Sequence, residues 1–140
     1  MRPCVCFCRP ALAPCLPAGV ICAPRSVPGQ SWQLCALAPE AAGWMSCAAL
    51  RCGTLLVPDG PYSPLWQAEQ VVAYGLDPRS TLTLSSMGNR SMLCVQRSLI
   101  TLSGRHVEPQ ELPLPRDWMS LSPQEQLLLA GVHLLCDELS

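Results

Sequence analysis

The chain has 140 residues, of which 49% are hydrophobic and 14% charged, and its formal net charge is -1. All nine cationic side chains are arginine, so chemistry that needs a lysine amine is excluded. Without an excess of positive charge the chain has no field that attracts phosphates, and we expect no nucleic-acid partner. The length suits one domain, so residues 1–140 are predicted to form a single α/β domain.

Ten cysteines, eight of them within the first 52 residues, are the main anomaly of composition. They suit a cytoplasmic chain that uses cysteine as a small buried hydrophobe, a secreted chain with a disulfide framework, or metal or redox chemistry. We favour the first, because the spacings are irregular and prolines interrupt the first 25 residues, which argues against a signal peptide. No apolar run approaches the roughly 20 residues that span a bilayer, so we expect no membrane contact.

The opening segment, residues 1–37, is rich in Cys and Pro and is predicted to form short extended pieces, with strands at 5–8 and 19–22. Cys4, Cys6 and Cys8 alternate, which places them on one face of a strand, roughly 6.6 Å between neighbours. The simplest interpretation is a buried stripe. The alternative is that Cys4, Cys6 and Cys8, with Cys15 or Cys22, bind a soft metal such as copper(I).

The middle of the chain predicts alternating helices and strands. A helix over 39–52 begins with Pro39 at its first position and ends before Gly53. A buried strand over 54–57 ends in the turn Pro58-Asp59-Gly60-Pro61. Ser63 and Pro64 have the form of a helix start, so we predict a short helix over 64–70 and a second strand over 71–74. This order predicts two parallel strands joined by a helical crossover.

Beyond Gly75 the pattern predicts an antiparallel meander of hairpins. Leu82 and Leu84 alternate with polar residues, the turn Gly88-Asn89 follows, and residues 92–97 are extended again. Residues 99–102 and 107–114 form a second hairpin around a turn at 103–105. Prolines confine the last strand to an edge of the sheet.

The last predicted element is an amphipathic helix. Ser122 caps it, Pro123 takes the first position and Glu125 completes an S-x-x-E capping box. One apolar stripe then runs along the helix at Leu128, Val132, Leu135 and Leu139.

Several of these segments together resemble the last part of the central domain of Mur ligases. The residues that carry the resemblance are 53–60 (GTLLVPDG), 71–76 (VVAYGL) and 112–115 (LPLP), followed by the final helix. The resemblance covers about residues 48–139. It divides the chain into a Cys- and Pro-rich part, 1–37, and a Mur-ligase-like part, 38–140.

The chain departs from that family at the residues that carry its chemistry. The family binds ATP through a glycine-rich loop with a lysine, and a second, modified lysine helps to hold metal; neither lysine exists here. The Gly-x-His-Asn signature is replaced by Trp-Met-Ser-Leu-Ser at 118–122. The resemblance therefore implies the fold without the ATP-dependent ligase activity, and no cofactor.

Five residues are candidates for ligand binding: Asp59, Gly60, Gly75, Ser85 and Arg90. Ligands of open α/β sheets collect at the carboxyl ends of strands, where the first three are predicted, and backbone amides beside Arg90 suit an anion. Ordinary turns explain the same residues. His106 is interpreted as a solvated loop residue and His133 as a helix-edge residue, so neither activates a nucleophile.

The resulting functional hypothesis is a non-catalytic, Mur-ligase-like protein that acts by binding a protein partner or by self-association. The alternative is a Cys-based redox or soft-metal-binding protein.

Overall fold

Ten β-strands and two α-helices account for most of the residues that the computed structural model describes, 3–23 and 31–139. The strands are β1 (Cys4–Phe7), β2 (Val20–Ala23), β3 (Ser31–Leu37), β4 (Leu50–Pro58), β5 (Trp66–Tyr74), β6 (Leu82–Met87), β7 (Arg90–Val95), β8 (Leu99–Ile100), β9 (His106–Val107) and β10 (Gln110–Pro113). The α-helices are α1 (Pro39–Trp44) and α2 (Pro123–Leu135), and 3-10 helices span Pro10–Cys15 and Arg116–Ser120.

Eight strands form one mixed sheet in the order β10-β7-β6-β5-β4-β3-β1-β2. The pairs from β2 to β6 are parallel, and those of β7 with β6 and with β10 are antiparallel. Strands β8 and β9 form a separate hairpin. The predicted α/β fold, with a parallel centre and antiparallel hairpins, is therefore confirmed.

The N-terminal strands lie close to their predicted positions. Strands β1 and β2 are each shifted by one residue from the predicted ranges. Strand β3 lies between β1 and β4 and contributes the buried residues Leu34 to Leu37 to the core. The pattern indicated only extended structure there. Residues 24–30 of the predicted Cys- and Pro-rich segment lie outside the described residues.

The helix predicted over 39–52 is wrong in its second half. Helix α1 ends at Trp44, and the chain turns before β4 begins at Leu50. Gly43 weakens a helix at that point. Residues 50–52 instead pair with β5, and Cys52 is only 3% exposed. Pairing with a neighbouring strand therefore outweighs the local helical preference of Ala, Met and Leu.

The helix predicted over 64–70 is also wrong. Ser63 does accept a hydrogen bond, from the backbone N–H of Leu65 at 3.1 Å, but the chain enters β5 at Trp66. Strand β5 pairs with β4 from Leu50↔Trp66 to Pro58↔Tyr74. The predicted parallel pair is correct, and residues 59–65 connect its strands without an α-helix. Aromatic and β-branched side chains favour the strand.

The C-terminal hairpins follow the prediction in part. Strands β6 and β7 meet at the turn Gly88-Asn89, where Gly88 has φ of 64°. Strands β8 and β9 form a short second hairpin, but the strand predicted over 107–114 is divided into β9 and β10. Strand β10 returns to pair with β7 and ends the sheet at that edge, where Pro113 removes no central ladder bond.

Helix α2 has the predicted start and covers the sheet. Ser122 accepts from the backbone N–H of Glu125 at 3.2 Å, so the capping box is present. Gly131 lies against the side chains of Leu56 and Leu82, which brings the helix close to the sheet. No helix in the described ranges is long and apolar enough to span a bilayer.

Candidate functional site

The predicted ligand residue Asp59 joins the loop after β4 to the loop after β5. Its Oδ2 accepts from the backbone N–H of Asp77 at 3.1 Å, and its Oδ1 accepts from the hydroxyl of Ser80, which is only 2% exposed. Its own backbone N–H donates to the carbonyl of Tyr74 at 2.8 Å. The carboxylate therefore supports two loops from within, which is a structural role.

Gly75 makes this contact possible. A Cβ built on Gly75 would lie 2.0 Å from Oδ2 of Asp59, and the φ of Gly75 is 153°, where side chains are disfavoured. Gly60 also has a positive φ, 115°, but a Cβ there would meet nothing within 4 Å. Three of the five predicted ligand residues thus lie together, and a close approach explains Gly75.

The other two predicted ligand residues lie toward the opposite end of β6. Ser85 donates to Oε1 of Glu111 at 2.9 Å, and Arg90 donates to the carbonyl of Leu114 at 3.4 Å. Arg90 pairs with Met87 at the end of β6, whereas Gly75 bonds to Leu82 at its start. The two ends of this six-residue strand are roughly 17 Å apart, so the five residues do not form one site.

A polar hollow of about 350 Å³ lies between the central strands and the β8 segment. Gln70 lines it, but its amide donates to the carbonyl of Ile100 at 2.8 Å and accepts from the Ile100 N–H at 2.9 Å. Gln33 donates to the carbonyl of Leu102 at 3.5 Å. These amides hold the β8–β9 hairpin on the sheet, which is a structural role.

The cysteines of β1 and β2 form a cluster that differs from the predicted one. Sγ of Cys8 lies 3.6 Å from Sγ of Cys22, and the Cys6 thiol hydrogen-bonds to Cys8. Cys4 instead contacts Oε1 of Gln33, at 4.0 Å. Among the described residues, no group of three or more His, Cys, Asp or Glu side chains is arranged to hold a metal ion.

We found no protein-family model, no curated protein and no solved structure that matches this chain. The Mur-ligase resemblance therefore rests on the residues of this chain alone.

The two histidines have structural surroundings. Nε2 of His133 lies 2.7 Å from the carbonyl of Cys15, so it carries the proton and ties α2 to the 3-10 helix at Pro10–Cys15. Its ring lies 5.1 Å from that of Trp118. His106 is exposed in the β8–β9 hairpin. Within the part of the chain that the structure describes, neither ring is hydrogen-bonded to a cysteine sulfur as a general base would be.

An exposed apolar surface, which the sequence did not indicate, surrounds the buried Trp66. The Trp66 indole N–H donates to the carbonyl of Met45 at 3.1 Å, and the rings of Tyr62 and Trp66 stack at 6.4 Å. Two exposed side chains adjoin Trp66, namely Tyr62 (49%), whose ring stacks on it, and Leu65 (48%), the preceding residue. Trp44 (43%) is also exposed and precedes Met45, whose carbonyl accepts from the Trp66 indole. We call Trp44, Tyr62, Leu65 and Trp66 the Trp66 surface.

The Trp66 surface carries no charge of its own. Residues 41–50 and 60–66, which supply it, contain no Asp, Glu, Lys or Arg. A hollow of about 480 Å³ adjoins Leu65 at the margin of this surface, where Arg51 also lines it. This pair of uncharged segments, separated by a strand, was the signal in the sequence that could have found the surface.

Proposed function

We propose that this protein is a non-catalytic, Mur-ligase-like α/β module that acts by self-association through the Trp66 surface. The observation that carries the proposal is the exposure of two aromatic side chains and a leucine in the two uncharged segments that the buried Trp66 indole joins. Trp and Tyr supply large contact areas at low entropic cost and are enriched at the centres of protein interfaces.

A second copy of the chain is the occupant that this surface suits best. In a two-fold interface a patch meets the same patch on its partner, so a net charge on it would be repelled by the same charge across the interface. The uncharged segments 41–50 and 60–66 avoid that repulsion. The rings are also held in place, because Trp44 packs edge-on against Phe7 at 6.1 Å and Tyr62 stacks on Trp66.

The non-catalytic part of the proposal rests on the side chains that chemistry would need. The carboxylate of Asp59 and the amide of Gln70 are engaged in hydrogen bonds within the fold. The lysines of the Mur-ligase ATP site do not occur in this chain. Calorimetry with ATP and magnesium should therefore give no binding heat. Tight ATP binding or phosphate release would overturn this part alone.

Sedimentation equilibrium tests the self-association. We expect a concentration-dependent dimer, and we expect Leu65→Glu or Tyr62→Glu to weaken it by about 30-fold, the loss of roughly 2 kcal/mol that an interface anchor provides. Met87→Glu is the matched control, because Met87 is more exposed, at 66%, and lies in the β6–β7 hairpin. A chain that stays monomeric at all concentrations, or equal weakening by Met87→Glu, would refute the proposal.

Cys47 offers a second measurement that needs no substitution. It is exposed and lies within the uncharged segment 41–50. Alkylation of Cys47 by a neutral thiol reagent should slow as the protein concentration rises through the dimerisation range. A rate that does not change with concentration would count against burial of this segment in a dimer.

A further inference from the structure

Two thiols at the edge of the sheet are close enough to react with each other. Strands β1 and β2 are parallel neighbours, with Cys6 opposite Cys22, and Sγ of Cys8 lies 3.6 Å from Sγ of Cys22. A disulfide needs about 2.05 Å, so the sulfurs must approach by about 1.5 Å. Among the described residues, β2 is the last strand of the sheet and pairs with β1 alone, so only one strand ladder must adjust for the sulfurs to meet.

The two thiols have complementary properties. When Cys8 is ionised, hydrogen bonds from the thiols of Cys6 and Cys22 stabilise its thiolate and lower the pKa of Cys8 from 9.0 to about 7. Burial and the hydrogen bond to Cys8 raise the pKa of Cys22 to about 11. Cys22 remains partly exposed, whereas Cys8 is only 2% exposed. A thiolate is the reactive form of cysteine.

We propose that Cys8 and Cys22 form a peroxide-oxidised pair that closes to an intramolecular disulfide. The sulfur of Cys8 attacks one oxygen of hydrogen peroxide, the O–O bond breaks, and hydroxide leaves with the second oxygen. The Cys8 sulfenic acid is then attacked by the sulfur of Cys22, an S–S bond forms and water leaves. Two thiols and one peroxide thus give one disulfide and two waters.

The burial of Cys8 selects a peroxide as the oxidant. A bulky disulfide such as oxidised glutathione cannot reach a residue that is 2% exposed, whereas hydrogen peroxide is close to water in size. Other close thiols are less suited to the reaction. Cys35 is fully buried, and its hydrogen bond to Cys52 and its burial raise its pKa. Cys6 is likewise fully buried, and its hydrogen bond to Cys8 and its burial raise its pKa.

Intact mass and peptide mapping of the wild-type chain test the pair directly. Low hydrogen peroxide should make the protein about 2 Da lighter, for the two hydrogens lost. Chymotryptic cleavage after Phe7 and Leu12 separates Cys8 from Cys4 and Cys6 on a five-residue peptide. That peptide should be cross-linked to the peptide of residues 13–32, which carries Cys15 and Cys22, and fragmentation should place the bond on Cys22. Mapping to any other cysteine pair would overturn the proposal.

Variants separate the two steps. Cys22→Ser should abolish the disulfide and leave a Cys8 sulfenic acid that dimedone traps, whereas the control Cys15→Ser should keep the disulfide. Cys6→Ala removes the first hydrogen bond to Cys8, so the pH midpoint of the oxidation rate should move up from about 7. Absence of dimedone on Cys8 in folded Cys22→Ser protein, or an unchanged midpoint in Cys6→Ala, would show that Cys8 is not the peroxide-reactive thiol.

Discussion

Replacing Gly75 with alanine should destabilise the fold by forcing Asp59 out of its hydrogen bonds. The new methyl group would lie 2.0 Å from Oδ2 and 2.5 Å from Cγ of Asp59, so the carboxylate must move. Moving it leaves the hydroxyl of Ser80 buried without its acceptor, at a cost of about 1–3 kcal/mol. The positive φ adds about 1–2 kcal/mol. We therefore expect Gly75→Ala to cost about 2–5 kcal/mol.

Gly60→Ala is the matched control for this prediction. Gly60 also has a positive φ, but a methyl group there meets nothing within 4 Å. It should cost only the backbone strain, about 1–2 kcal/mol. Urea unfolding of both variants, and of Asp59→Ala with and without Gly75→Ala, measures the difference. Because the clash involves Asp59, Gly75→Ala should cost less in the Asp59→Ala background.

Two results would refute this reasoning. If Gly75→Ala and Gly60→Ala cost the same, the close approach of Asp59 has no energetic weight. If the costs of Asp59→Ala and Gly75→Ala simply add, the two residues do not act through one contact. Either result would also reopen the interpretation of Asp59 as a ligand residue, because its structural role would no longer explain its position.

Three further predictions concern the core and the pH dependence. Tyr74→Phe should cost about 1–2 kcal/mol in urea unfolding, because the Tyr74 hydroxyl donates to the carbonyl of Leu37 at 2.6 Å in a buried position; no change in the unfolding midpoint would contradict this. Gly131→Ala should destabilise the fold by about 1 kcal/mol, because the new Cβ would lie 2.7 Å from the Leu56 side chain. Gly43→Ala, whose Cβ would meet nothing within 4 Å, should stabilise the fold by about 0.5–1 kcal/mol. Equal shifts in the unfolding midpoint for the two variants would show that packing of α2 against the sheet has no energetic weight. Arg9, hydrogen-bonded to Glu125 at 2.6 Å, holds the pKa of the Glu125 carboxyl below its ordinary 4.5. The stability that this contact contributes is therefore fully present above pH 4.5 and is lost as the pH falls through the lowered pKa. Glu125→Gln should therefore be less stable than wild type at pH 7 and match it in acid, and a difference that persists at about pH 2 would contradict the linkage.

The features that could be predicted from the sequence are those determined within one segment. Ser122, Pro123 and Glu125 determine the start of α2 through contacts three residues apart, and the capping box is present in the fold. The turn at Gly88-Asn89 is equally local, since a positive φ is needed there. Edge positions also follow from composition, as Pro113 in β10 illustrates.

The wrong predictions concern elements whose structure depends on pairing with residues that are distant in the sequence. The Ser63-Pro64 dipeptide predicts a helix, but β5 is stabilised by its ladder with β4, sixteen positions away, as in Leu50↔Trp66. The helix and strand preferences of neighbouring residues contain no information about pairing with β4. The same distance explains why the Trp66 surface was missed, since its two segments meet only after β4 and β5 have paired.

The thiol pair shows which part of the cysteine cluster can be predicted from spacing within one strand and which part cannot. Alternation of Cys4, Cys6 and Cys8 predicts three thiols on one face of a strand, with Cys15 or Cys22 as a further partner. The fold groups Cys6 and Cys8 with Cys22 and leaves Cys4 against Gln33. The choice of Cys22 follows from the register, because Cys6 faces Cys22 in β2. A parallel pair with a fourteen-residue separation leaves no periodic trace in the sequence. Chemistry that requires two segments is therefore visible only once their register is known.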